Sequence, residues 1–188
     1  MERYEGTIFA GDALKTVRGG VVVEDGRIEA VEETATEATD IVLPAFVNAH
    51  THIGDSVATE AAVGLSLDEA VAPPESEKHR RLAAASHADL VAAMRRTLRY
   101  MAQTGTAVHL DFRESGESGA EALREAASET ATDAFIFGSG PASVLEIADG
   151  YGASGANDDE FAAERAAARE ATKPFAIHAG EPDATDIH

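Results

Sequence analysis

The sequence predicts an α/β chain built on a parallel sheet, and three observations carry that prediction. From residue 41 onward, five β-prone apolar runs alternate with helical patterns. The run 41–50, IVLPAFVNAH, is almost continuously apolar, as a strand covered on both faces would be. Residues 1–43 have a different texture, with short runs arranged about an Asp-Gly pair.

The elements follow in order. GGVVVEDGRIEAVEE sets two β-prone runs around Asp25-Gly26. Both central residues of a type I′ turn need positive φ, so this pair predicts a hairpin. TATEATD, residues 34–40, is a polar connector. The run ending at His50 is the first strand of the parallel sheet. SHADLVAAMRRTLRYMAQTG then repeats Leu90, Val91, Met94, Leu98 and Met101 at helical spacing. Ser86 is its expected N-cap and Gly105 its stop. TAVHLDF predicts a second strand, GAEALREAASETA a helix, AFIFGSG a third strand, and PASVLEIAD a short helix opened by Pro141. DGYGASG reads as a fourth strand. DDEFAAERAAAREATK reads as a helix whose acidic first turn suits the helix dipole, and PFAIHAGE as a fifth strand.

Composition narrows the function. Apolar residues make up 44% of the 188, enough for a core. The net charge is -19, from 34 Asp and Glu against 15 Lys and Arg, which excludes nucleic acid and anionic membranes as partners. An acidic, Ala-rich chain with three lysines (Lys15, Lys78 and Lys173) fits a protein adapted to high salt. With no cysteine, disulfides and thiolate metal sites are ruled out, and any metal must be held by His, Asp or Glu. There is neither a long apolar run nor a secretory signal at Met1, so a cytoplasmic location is expected.

Two histidines stand out in NAHTH. Side chains two apart on a strand share a face, so His50 and His52 project together. They sit at the C-terminal end of their strand, where α/β barrels carry their active sites. His178 ends the fifth strand in the same manner, and Glu181 follows three residues later. Three imidazoles from two strand ends are a donor set for an open, zinc-like site. An ion held there lowers the pKa of a water, and a nearby carboxylate can carry the released proton. Glu181 is equally readable as a helix-start acid or a surface charge.

N-A-H-T-H after one apolar strand and H-A-G-E after another resemble the amidohydrolase superfamily, most closely its cytosine deaminase and chlorohydrolase-like branch. The DGRIEAVEE hairpin is similar to the small β-sandwich that flanks the barrel in many members. The resemblance implies a TIM (β/α) barrel truncated after about the fifth strand, with part of a β-sandwich over 1–43 and barrel strands one to five over 44–188. It implies that His50, His52 and His178 bind metal and that Glu181 shuttles protons. It also implies C–N bond hydrolysis, with a metal-bound hydroxide deaminating a small, nucleobase-like heterocycle. Hydrolysis of a cyclic amide, as in dihydroorotase or imidazolonepropionase, is the alternative within the superfamily, and a non-catalytic remnant of the fold is the alternative outside it. Binuclear members use a carboxylated lysine on the fourth strand. None stands there in this chain, which favours one divalent ion, zinc or ferrous iron.

In a barrel, the second strand should turn Val108, Leu110 and Phe112 toward the helices. His109, Asp111 and Arg113 should then face the interior. Asp111 or Arg113 could then touch substrate, although an internal ion pair with a neighbouring strand is the favoured reading. Members of the superfamily also use a sixth-strand histidine and an eighth-strand aspartate. Only about 145 residues follow the sandwich segment, where a complete barrel takes about 250. The expectation is therefore the N-terminal part of a longer enzyme, poorly active alone, that pairs with a complementing C-terminal segment or with other copies.

Overall fold

A computed structural model describes residues 1–71 and 76–180. It divides into two compact units, Met1–Ala45 and Phe46–His188.

The first unit is one four-stranded sheet. β1 (Glu2–Ala10), β2 (Lys15–Glu24) and β3 (Arg27–Glu33) pair antiparallel in order, and β4 (Ile41–Val42) lies parallel to β1 on its other side. The Asp25-Gly26 turn forms as its chemistry requires, with φ of 50° and 75°. Ile8 and Val21 are its buried apolar side chains. Residues 34–40 carry no regular structure, as their polar composition predicts.

The expected single strand over 41–50 is split. Ile41–Val42 joins the first sheet, and β5 (Phe46–Thr51) opens the second. Pro44 stands between them, and without an N–H it cannot continue a ladder. Burial on both faces is also corrected: among the described residues β5 lies at the edge of the sheet, with Phe46 56% and Val47 60% exposed.

The second unit follows the predicted alternation. A 3₁₀ turn over Ile53–Ala58 leaves β5, followed by α1 (Leu67–Val71), α2 (Glu77–Ala84) and α3 (His87–Gln103). Ser86 caps α3 by accepting the N–H of Asp89. Then come β6 (Thr106–Arg113), α4 (Gly116–Ala127), β7 (Asp133–Gly138), a second 3₁₀ turn (Ala142–Glu146), β8 (Gly150–Ala153), α5 (Phe161–Glu170) and β9 (Phe175–Ile177). Strands β5 to β9 are parallel and lie side by side in chain order. This is the succession of a barrel's first five strands. Leu98, Leu123, Ile136, Val144 and Tyr151 are almost fully buried in the core between this sheet and its helices. Tyr151 is on β8, the expected fourth strand; its single hydroxyl proton is shared between Gly140 O at 2.6 Å and Glu164 Oε1 at 2.9 Å.

The faces of β6 are the reverse of expectation. Phe112 lies on the histidine face, its ring centroid 4.8 Å from that of His50 and 4.4 Å from that of His178. By alternation, His109, Asp111 and Arg113 lie on the helix side, and all three are buried. The cause is local. The 3₁₀ turn after β5 covers that side of the sheet. Asp111 Oδ2 accepts the Ile53 N–H at 2.5 Å and the Thr51 hydroxyl at 2.9 Å. Arg113 packs on Gly54 so closely that a Cβ there would lie 1.6 Å from Nη1. Across the histidine face, Gly152 leaves the space that Phe112 fills.

Candidate metal centre

β5 and β9 each end in a histidine-bearing segment, and the parallel register brings both ends to one rim of the sheet. The Nε2 atoms converge there: His50 to His52 at 3.2 Å, His50 to His178 at 3.1 Å, and His52 to His178 at 3.0 Å. A ring nitrogen is either a donor or an acceptor. Three nitrogens in mutual contact therefore always include at least one pair of the same kind, so hydrogen bonding alone cannot satisfy the cluster. A cation among them accepts all three lone pairs. Nitrogens about 2.05 Å from one tetrahedral ion stand about 3.3 Å apart, close to the spacing found. The residues present thus fit a metal ion.

The surroundings are ordered around these rings. Phe112 lies against all three, with a centroid distance of 6.0 Å to His52, and stacks on Phe137 at 5.4 Å. The carbonyl of Ala153 lies 3.4 Å from His178 Nδ1. Behind His52 stands Glu114, the first residue after β6, with Oε1 3.7 Å from Nδ1. Lys78 of α2 reaches Glu114 Oε1 at 2.5 Å and Asp55 Oδ2 at 3.2 Å, and the Arg113 guanidinium pairs with Glu114 Oε2. Burial would push the Glu114 carboxyl up. His52, Arg113 and Lys78 override it and hold the group well below the usual carboxylate range. Burial would likewise lower Lys78, but Glu114 and Asp55 raise it above its ordinary value.

His50, His52 and His178, separated in sequence, are brought together. Glu181 lies outside the described residues. Asp111 and Arg113 lie near each other on β6 itself, Oδ1 to Nη1 at 3.8 Å, on the side away from the histidines, and not in the expected ion pair with a neighbouring strand. Burial pushes Asp111 up to about 6, against the opposing pull of Arg113, the Ile53 N–H and Thr51. As oriented, neither side chain faces the cluster, which corrects the expected interior placement. Glu114 and Lys78 join the site without having been among the expected residues. The available signal was an acid directly after a strand that ends at the same rim. The other lysines are elsewhere: Lys15 is on β2, and Lys173 donates to the carbonyls of Leu145 and Ala148.

Comparisons with known proteins agree with this geometry. A Methanothermobacter thermautotrophicus protein with the provisional name aminohydrolase is 36% identical over 173 residues, 80% of this chain and 45% of that protein. The fold is similar to 5-methylcytosine deaminase from Klebsiella pneumoniae, with a TM-score of 0.65 at 17% identity, covering 97% of this chain and 53% of that one. It is also similar to adenine deaminase from Arthrobacter aurescens, with a TM-score of 0.50 at 16% identity over 73% and 58%. The chain spans about half the length of the curated relatives it matches. Among the described residues, no helix is long and apolar enough to cross a membrane. The amidohydrolase family model matches residues 41–188, the span that builds the parallel sheet and carries all three histidines, and the chain belongs to that family.

Proposed function

We propose that the whole protein is a metal-dependent hydrolase of C–N bonds, an aminohydrolase that deaminates a planar, nucleobase-like heterocycle. The observation that carries this reading is the triangle of Nε2 atoms 3.0–3.2 Å apart at the rim of a parallel sheet. The names of the relative and of the two similar structures support the choice of deamination over cyclic amide hydrolysis.

His50, His52 and His178 would hold the ion, zinc or ferrous iron. When bound, it supplies Lewis-acid polarisation and a water acidic enough to lose its proton near neutral pH. The residues of the chain do the rest. Glu181, three residues past His178, takes the proton at its carboxylate and delivers it to the leaving nitrogen. Phe112 and Phe137 give the histidine face an apolar, aromatic floor suited to a flat ring and unsuited to loose water.

The test is ammonia release from a panel of aminated pyrimidines and purines, set beside cyclic amides, using the full-length protein with zinc or ferrous iron. Ammonia from at least one heterocycle is expected, with Glu181→Gln losing turnover and keeping metal. Hydrolysis of cyclic amides with no ammonia would replace deamination by the alternative. A Glu181→Gln variant with most of its rate intact would remove Glu181 from the proton path.

A further inference from the structure

Two of the three histidines, His178 and His52, are supported differently. His178 has a main-chain carbonyl, that of Ala153, near its Nδ1, and no side-chain substitution alters that group. His52 depends on a side chain. Its Nε2 points into the triangle, so Nδ1 faces away from it. That atom is buried and has no hydrogen-bond partner among the described residues. The nearest carboxylate oxygen, Glu114 Oε1, waits 3.7 Å away, just beyond hydrogen-bond length. Glu114 is itself clamped from two elements, by Lys78 of α2 and by Arg113 at the end of β6. The clamp is largely sheltered from solvent: the Lys78 side chain is 12% exposed and that of Arg113 3%. Lys78 is also tied to Asp55 in the turn that follows His52.

We propose that Glu114 is a positioning residue for the metal centre. Its carboxylate, held by Lys78 and Arg113, accepts the Nδ1–H of His52 and so fixes the tautomer that presents a bare Nε2 to the ion. An imidazole that binds metal through one nitrogen carries its proton on the other, and an acceptor there sets the ring angle and raises the basicity of the donor. Lys78 makes the arrangement conditional on α2. This helix, the second after β5, is thereby coupled to His52. This inference rests on the metal-site reading above.

The experiment is zinc affinity of the full-length protein by competition with a chromophoric chelator, with unfolding of the metal-free form recorded in parallel. Glu114→Ala should weaken zinc binding about 10–100-fold. Glu114→Gln keeps an acceptor oxygen toward His52 and should return affinity to within about fivefold of wild type, a rescue that a purely structural role would not give. Lys78→Met, which releases the clamp and leaves the carboxylate, should lose about threefold to tenfold. If Glu114→Ala does not fold, the Gln and Met variants decide the matter, and wild-type affinity in Lys78→Met would overturn the clamp. Glu114→Ala that binds zinc as tightly as wild type, while His178→Ala does not bind, would overturn the role of Glu114 and leave the metal site standing. Gln as impaired as Ala would also overturn it. A wild-type protein that binds no divalent ion would bring down both readings together.

Discussion

The Nε2 atoms of His52 and His178 stand 3.0 Å apart across 126 residues of chain. Two strand ends meet there only if the sheet between them is complete and in register. Replacing one imidazole should therefore remove the ion without dismantling the sheet. In the full-length protein, His178→Ala is expected to lower zinc affinity by at least about a hundredfold, beyond the effect of losing a supporting partner. Metal content after gel filtration reads this directly. Zinc should also stabilise the wild type by about 2.7 kcal/mol at a hundredfold excess over Kd, read as a higher melting point, and should not stabilise the variant. Equal zinc in both proteins would disprove the ligand assignment.

Phe112 touches all three imidazoles and Phe137, and it is 9% exposed. Truncation to Ala leaves a hole beneath the cluster. Phe112→Ala should cost about 3–5 kcal/mol of stability, and Phe112→Leu distinctly less. Both should also loosen ion binding, because the rings lose the surface that sets their tilt. Urea unfolding checks the first claim. A midpoint unchanged in the Ala variant would mean that the ring contributes nothing to the fold.

His109 is buried on the helix side of β6, and neither ring nitrogen has a hydrogen-bond partner among the described residues. Burial lowers its pKa, with partial opposition from Asp133. The fold therefore favours the neutral ring. A base with a depressed folded pKa contributes stability above its unfolded value, about 6.5, and that contribution is lost as pH falls below it. Wild type should lose stability relative to His109→Leu between pH 7.5 and 5, by at most about 1.4 kcal/mol per pH unit. At pH 7.5 the Leu variant should be as stable as wild type or more so, because it removes two unpaired polar atoms from the core. Parallel melting curves with pH would refute the argument.

The acidic surface sets a fourth expectation. At a net charge of -19 the chain repels itself, and salt screens that repulsion. The melting temperature should rise from low salt to molar potassium chloride. A higher melting point at low salt would refute the reading of a salt-adapted protein.

Much of this arrangement was legible in the sequence. The Asp25-Gly26 hairpin, the Ser86 cap and the α3 core stripe each follow from a local rule, and local rules survive folding. The histidines were legible because alternation and strand polarity place them without any knowledge of neighbours. The faces of β6 were not. Two-residue periodicity separates the polar set from the apolar set but does not say which faces inward. That choice was made by the Ile53 N–H, which needs Asp111, and by Gly54, which admits Arg113; both are contacts across more than fifty residues. Glu114 and Lys78 escaped notice for the same reason, since their partnership joins α2 to the end of β6. Pro44 is a local break signal, set in an apolar run whose continuity masks it.

The wide separation of the ligands also orders events in time. During synthesis His50 and His52 leave the ribosome long before His178, by about 6–25 s at ordinary rates of about 5–20 residues per second. Through that interval only two of the cluster's three nitrogens exist. The third joins them once β9 has docked beside β8. On the proposed function, a retained ion would mark a chain in which β5 to β9 lie in register.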